Sequence, residues 1–449
     1  MNFKSKLADE NSLLFQYVFF IKWLIIAIIS GIVIGICGSG FHILLDLAAE
    51  KRAEYPFLLF LLPIGGLIIV WLYQMAGMSD DKGTNGIIRG ARGEETVSVK
   101  KAPLIVVATA LTHLLGGSAG REGAALQLGG SLISPLKKPL KLNDEDYSML
   151  IMCGMAAGFS ALFGTPVAAA VFAIEVTVVG VTKYRAIVPC IVASLAAAMT
   201  ANGFMVHPTS FSVKDIPGFD IDSYSTMIQT TLMGICCAVI SVFFCVAMSR
   251  VGGLYKKYFP NPYIRALVGG IIVAALSELI FLLTGSFDYN GAGTDVIANA
   301  FAGSARPEAF ILKLILTALT LGAGYKGGEI VPSMFIGATF GCFFGALLGL
   351  PASFGAALGL AGVFCGVTNC PFASMLLSIE LFGAEALPYY ALVIGLSYML
   401  SGYTGLYSAQ KFYESKIANS SFRHRSTYSE IKKSIKENAA SAADNDNKS

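Results

Sequence analysis

Apolar runs follow one another along most of this chain, at 14–36, 57–75, 103–117, 149–176, 186–206, 226–250, 264–284, 310–323, 334–350, 354–366 and 386–400. A helix needs about 20 apolar residues to span a bilayer, and several of these runs are shorter. The pattern predicts an all-α polytopic membrane protein in which some helices cross part way or are broken. The 48 glycines suit close helix packing and helix breaks. The strict alternation of a β-barrel is absent. Only 14% of residues are charged, against roughly a quarter in a soluble domain. Charge lies in loops and at the ends, so the net +3 identifies no partner and no nucleic-acid binding is expected.

The nine cysteines are scattered at apolar positions without a CxxC pair and read as core residues. The four histidines lack metal-ligand spacing, so neither metal nor cofactor is expected. A nucleotide loop and a catalytic triad are also missing, so the chain does not read as an enzyme. Residues 1–13 are polar. The first apolar run is long, carries Lys22 and has no small-residue cleavage site, which reads as a retained helix. The tail, residues 411–449, is basic near the membrane, which places it in the cytoplasm. Its last residues have a disordered composition.

The chain repeats itself. "GMAAGFSALFGTPVAAAVFAIEV" (154–176) matches "GLAGVFCGVTNCPFASMLLSIEL" (359–381) at an offset of 205, pairing Pro166 with Pro371 and Glu175 with Glu380. Upstream, "SAGREGAALQLGG" (118–130) matches "YKGGEIVPSMFIG" (325–337) at an offset of 207, pairing Gly120 with Gly327 and Glu122 with Glu329. Two membrane repeats are expected, 14–205 and 226–410, joined by a loop at 206–225. Gly-interrupted helices at matching places in two halves predict a site near the midplane, where helix N-termini meet. Such termini offer free N–H groups and partial positive charge to an anion.

These residues carry a resemblance to the CLC chloride channels and transporters over about 14–410. "GREGAALQLGG" is similar to the family's GREGP motif, "GGEIVPSMFIGATFG" stands where the family has GxFxP, and "GLYSAQ" (405–410) resembles the segment that supplies the pore tyrosine. The resemblance implies a homodimer, each subunit an inverted repeat of tilted and broken helices with its own pore. It also implies a multi-pass protein of the plasma (inner) membrane with both termini cytoplasmic.

The departures narrow the branch. In place of the GSGIP of chloride-selective members stands "KGTNGII" (82–88), so Thr84 or Asn85 takes the serine's place. The internal glutamate of proton-coupled chloride members falls at Val176. GxFxP has become Gly328-Glu329-Ile330-Val331-Pro332. Together these resemble the bacterial fluoride/proton antiporters. A chloride channel or chloride/proton exchanger with atypical motifs is the alternative.

Glu122 is expected to carry the proton and to gate the path, since a carboxylate in low dielectric favours its protonated form. Gly120, Arg121, Gly123, Gly328, Glu329, Ile330, Val331 and Tyr407 are expected to line the anion path with Thr84 or Asn85. An Arg121–Glu122 ion pair is disfavoured, because adjacent residues do not face each other on a helix. Glu329 would be tolerated if protonated or paired with Lys326. Glu175 and Glu380, paired by the repeat, read as structural helix-end partners.

Overall fold

The computed structural model describes residues 13–219, 224–416 and 421–433. The expectations for residues 1–12 and for the end of the tail fall outside these. Eight helices make the first half: α1 (Leu13–Glu54), α2 (Leu62–Met75), α3 (Thr84–Ala91), α4 (Lys101–Leu114), α5 (Glu122–Ile133), α6 (Asp144–Phe163), α7 (Pro166–Glu175) and α8 (Ile187–Gly203). Eight follow in the second: α9 (Tyr224–Tyr258), α10 (Pro262–Thr284), α11 (Thr294–Phe301), α12 (Ala309–Gly322), α13 (Ile330–Leu347), α14 (Ala352–Thr368), α15 (Pro371–Phe382) and α16 (Leu387–Leu400). The halves correspond helix for helix. α3 and α11 both have 8 residues, and α4 and α12 both have 14.

Among the described residues, seven helical segments are long and apolar enough to cross a membrane. Six shorter apolar helices have 10–17 residues, too few to span alone. The apolar run at 149–176 is two helices, because Gly164 ends α6 in the left-handed conformation (φ 70) and Pro166 starts α7. At the equivalent break Asn369 (φ 58) ends α14 and Pro371 starts α15. The outer helices expose large apolar side chains such as Ile29, Ile36, Phe243 and Leu282, as a lipid surface requires. α6 and α14 are buried almost throughout.

Close approach fixes the centre of each half. A Cβ on Gly337 would lie 2.6 Å from the Gly359 carbonyl oxygen, and one on Gly154 would lie 2.6 Å from that of Gly129. Only glycine admits backbones this near.

The repeat register needs one correction. Gly120 and Gly328 pair in an antiparallel bridge, each N–H donating to the other's carbonyl at 2.7 Å. The first helical residues are Glu122 and Ile330, and the N-caps are Arg121 and Glu329. The upstream offset is therefore 208, the step from Gly120 to Gly328. Glu329 matches Arg121, not Glu122. The downstream offset of 205 holds in the α6–α7 and α14–α15 breaks.

Glu175 and Glu380 cap each other's half. Glu380 accepts from the N–H groups of Val167 (3.0 Å) and Ala168 (2.8 Å) at the start of α7. Glu175 accepts from Phe372 (3.2 Å) and Ala373 (2.8 Å) at the start of α15. Each helix opens with proline, so these are the first N–H groups in need of a partner. Glu380→Ala is expected to cost about 2–4 kcal/mol by leaving two such donors unmet in an apolar setting. Glu380→Gln, which keeps an acceptor, should cost about half as much. Thermal unfolding in detergent reads the difference, and equal stability of all three proteins would rule out a capping role.

The start of the tail folds back. β1 (Val178–Val179) pairs in parallel with β2 (Lys411–Glu414), and β2 pairs antiparallel with β3 (Ser421–Thr427). The segment before β2 is pinned by Gln410, whose Nε2 donates to Thr368 (2.8 Å) and Val176 (3.3 Å) carbonyls. Asn369 Nδ2 donates to Gln410 Oε1 at 3.0 Å. These bonds fix the turn that carries Tyr407.

Candidate functional site

Three helix N-termini converge on Gly123. A Cβ there would lie 2.9 Å from Gly328 Cα, 3.3 Å from Glu329 Oε2 and 3.6 Å from Thr84 Oγ1. Thr84 opens α3, Glu122 and Gly123 open α5, and Glu329 caps α13. Each terminus carries about half a positive charge in free N–H groups. The missing Cβ of Gly123 lets these termini approach this closely.

The polar groups around this point are short of partners. Glu122 is fully buried. Its Oε2 accepts from the Arg121 N–H at 3.2 Å, while its Oε1 has no hydrogen-bond partner. Glu329 Oε2, Gln127 Oε1 and the Tyr407 hydroxyl are likewise buried without one. The Tyr407 hydroxyl lies within electrostatic reach of Glu329 and Glu122. Buried polar atoms are almost always paired. Four of the unpartnered buried atoms lie around this point.

The geometry separates Thr84 from Asn85. Thr84 Oγ1 faces Gly123 and accepts from Gln127 Nε2 at 3.2 Å. Asn85 Oδ1 accepts from the Ala409 N–H at 2.8 Å, holding the Tyr407 turn. Gly120 packs on Val331 and Pro332, and Ile330 and Val331 are buried behind it. Gln127 was not singled out in the sequence. Its signal is a lone amide one turn beyond Gly123, whose carbonyl accepts from Nε2 at 3.2 Å.

Two ion pairs differ from expectation. Arg121 Nε lies 3.6 Å from Glu122 Oε1, so the adjacent pair does meet. Arg121 is the N-cap, outside the helical spacing that keeps neighbours apart. Lys326 pairs with Asp81 at 3.6 Å rather than with Glu329, and sits 4.3 Å over the Tyr73 ring. Asp81 also meets Lys101 at 2.6 Å and accepts from the Gly83 N–H at 3.2 Å. Burial opposes the charged form of Asp81, but Lys326, Lys101 and this N–H together hold its carboxyl below the ordinary range.

Two cavities approach the cluster. The first, about 960 Å³, is lined by Asp81, Thr84, Asn85, Gln127, Lys326 and Glu329 among others. The second, about 380 Å³, is lined by Arg52, His113 and Arg121 with residues 287, 288 and 290–296. α10 runs from one to the other. Its first turn, with Tyr263 and Arg265, lines the first cavity, and Phe287, just past its end, lines the second. Its 23 residues span about 35 Å. The cavities form two vestibules at opposite ends of α10, with Glu329 lining the first and Arg121, the N-cap of α5, lining the second.

This arrangement is that of a helical membrane protein built to pass an anion between two vestibules. The family described as "Voltage gated chloride channel" matches residues 65–402. A "Chloride/fluoride channel protein" of Pseudomonas syringae pv. tomato is 32% identical over 400 residues, 88% of this chain and 87% of that protein. A crystal structure described as a CLC-type fluoride/proton antiporter superposes with a TM-score of 0.83 at 32% identity, covering 88% of this chain and 99% of the other. That of a slow cyanobacterial Cl⁻/H⁺ antiporter shares the fold, with a TM-score of 0.71 at 20% identity over 84% of this chain and 94% of the other. The chain belongs to the CLC family of voltage gated chloride channels and related anion transporters.

Proposed function

We propose that this protein exports fluoride from the cytoplasm in exchange for protons, working as a transporter and not as an enzyme. Glu122 carries the proton and competes with the anion for the helix termini. Glu329, Thr84 and Tyr407 select the anion, and Asn85 supports the Tyr407 turn. The observation that carries the reading is the pair of buried carboxylates, Glu122 and Glu329, each with an oxygen that accepts no hydrogen bond, at the convergence on Gly123. Fluoride accepts hydrogen bonds strongly, and a protonated carboxyl beside it can donate one. The descriptions of the two relatives at 32% identity support the same anion.

The protein is proposed to be a homodimer with one pore per subunit, in the inner membrane with both termini cytoplasmic. Lys82, Arg89, Lys100, Lys256 and Lys411 cluster at the end of the first vestibule, through that cavity and through contacts with Ala76, Glu94 and Glu95. By the positive-inside rule this charge supports a cytoplasmic position for that end. The first vestibule then receives the anion and the second releases it.

Purified protein in liposomes tests the reading, with fluoride, chloride and nitrate compared and pH recorded in parallel. Fluoride efflux should exceed chloride efflux and raise the external pH as protons enter. Chloride flux equal to fluoride flux, or a flat pH trace, would reject it. The competing reading is a chloride conductor, in which the apolar Val176 would leave transport uncoupled, and it predicts the flat trace.

A further inference from the structure

We infer that the second vestibule contains a built anion site centred on Arg52, which takes the transported halide on the far side of Glu122. Arg52 lies in the last turn of α1 and is only 8% exposed. Its Nε and Nη2 have no hydrogen-bond partner. It forms no ion pair with any described carboxylate, and Glu278 acts on it only at longer range. A buried guanidinium with unmet donors is costly unless something else fills them.

The side chain is held rather than loose. Its guanidinium carbon stands 4.9 Å over the Phe287 ring. On another side lies Gly116, whose φ of 81 suits glycine; a Cβ there would be 2.7 Å from Arg52 Nε. Such a clamp presents a fixed planar fork of N–H groups, suited to a small anion.

Of the two arginines lining this cavity, Arg52 is the one without a carboxylate partner. Arg121 is shared by Asp46 (3.2 Å) and Glu122 (3.6 Å), and His42 also meets Asp46, at 2.7 Å. His113 Nδ1 is bonded to the Thr109 carbonyl at 2.9 Å, while its Nε2 is buried without a hydrogen-bond partner. Asp288 and Asp295 stand exposed at the rim. Because Arg121 touches Glu122 and lines the same cavity, an anion leaving Glu122 passes directly into reach of Arg52. This continuity favours the transported halide over a lipid phosphate as the occupant.

The inference rests on anion transport through the Gly123 site but not on which halide is carried. It is tested in right-side-out and inside-out membrane vesicles with fluoride and with chloride. Arg52→Gln is expected to raise the apparent KM at one face, that of the second vestibule, by about tenfold, with the other face unchanged. Arg52→Lys, which keeps the charge without the fork, should restore part of the affinity. If Arg52→Gln does not fold, Phe287→Leu removes the stacking ring and should give a smaller shift of the same sign. An unchanged KM at both faces overturns the site. So does a shift that vanishes in phosphatidylcholine liposomes, since that assigns Arg52 to an anionic lipid. Chloride flux without fluoride flux rejects the fluoride reading and leaves this test intact.

Discussion

Glu122→Gln should abolish proton movement, down to the level of protein-free liposomes. Glutamine has nearly the same shape, so the helix ends and the Gly120–Gly328 bridge should survive. What it lacks is a proton that can come and go. In the structure the Glu122 carboxylate folds back on its own helix terminus, accepting from the Arg121 N–H at 3.2 Å. There it takes donors that a transported anion would use, as a tethered rival. A neutral amide cannot compete in this way, so anion occupancy of the site should rise. Fluoride flux that persists in the variant should no longer respond to a pH gradient. A fluoride electrode and a pH electrode in the same vesicle suspension read both quantities. Persistent proton coupling would transfer the carrier role to Glu329, the other carboxylate at this point with an oxygen that accepts no hydrogen bond.

The parts of the fold that could be read in the sequence are those written in glycine, proline and glutamate. Pro166, Pro371, Glu175 and Glu380 gave the repeat at its downstream blocks, because each marks a helix start or the group that caps it. The upstream block slipped by one residue. Gly327 and Gly328 stand side by side, and matching glutamate to glutamate drew the alignment to the wrong one. Backbone pairing of Gly120 with Gly328 decides the register, and no side-chain pattern reports it. Long-range charge pairing was equally hidden. The Lys326–Asp81 contact joins two loops in different halves, whereas Glu329 lay close in sequence and so looked the better partner. Choosing between Thr84 and Asn85 needed to know which faces Gly123 and which faces Ala409. Adjacent residues at a helix start diverge by about 100°, and that angle becomes a functional difference only once the neighbours are placed.

Glu329→Gln should erase the discrimination between fluoride and chloride. Glu329 caps α13 with its side chain beside Gly123 and Thr84. Among the described ion pairs it has no cation of its own, since Lys326 is engaged with Asp81. An ionised carboxylate about 4 Å from an anion repels it by about 4 kcal/mol in a partly hydrated protein site. That is a penalty of several hundredfold or more for an anion that cannot relieve it. Chloride, the anion of a strong acid, gains little from a carboxyl proton. Fluoride accepts that proton's hydrogen bond strongly, so it converts the same side chain from barrier to ligand. Glutamine removes the repulsion and leaves an amide that both anions can use. Chloride flux should therefore rise towards that of fluoride, and the ratio of initial rates should fall by about tenfold or more. Matched liposome experiments with each anion measure that ratio. An unchanged ratio would remove Glu329 from the selectivity mechanism and leave Thr84 and Tyr407 to account for it.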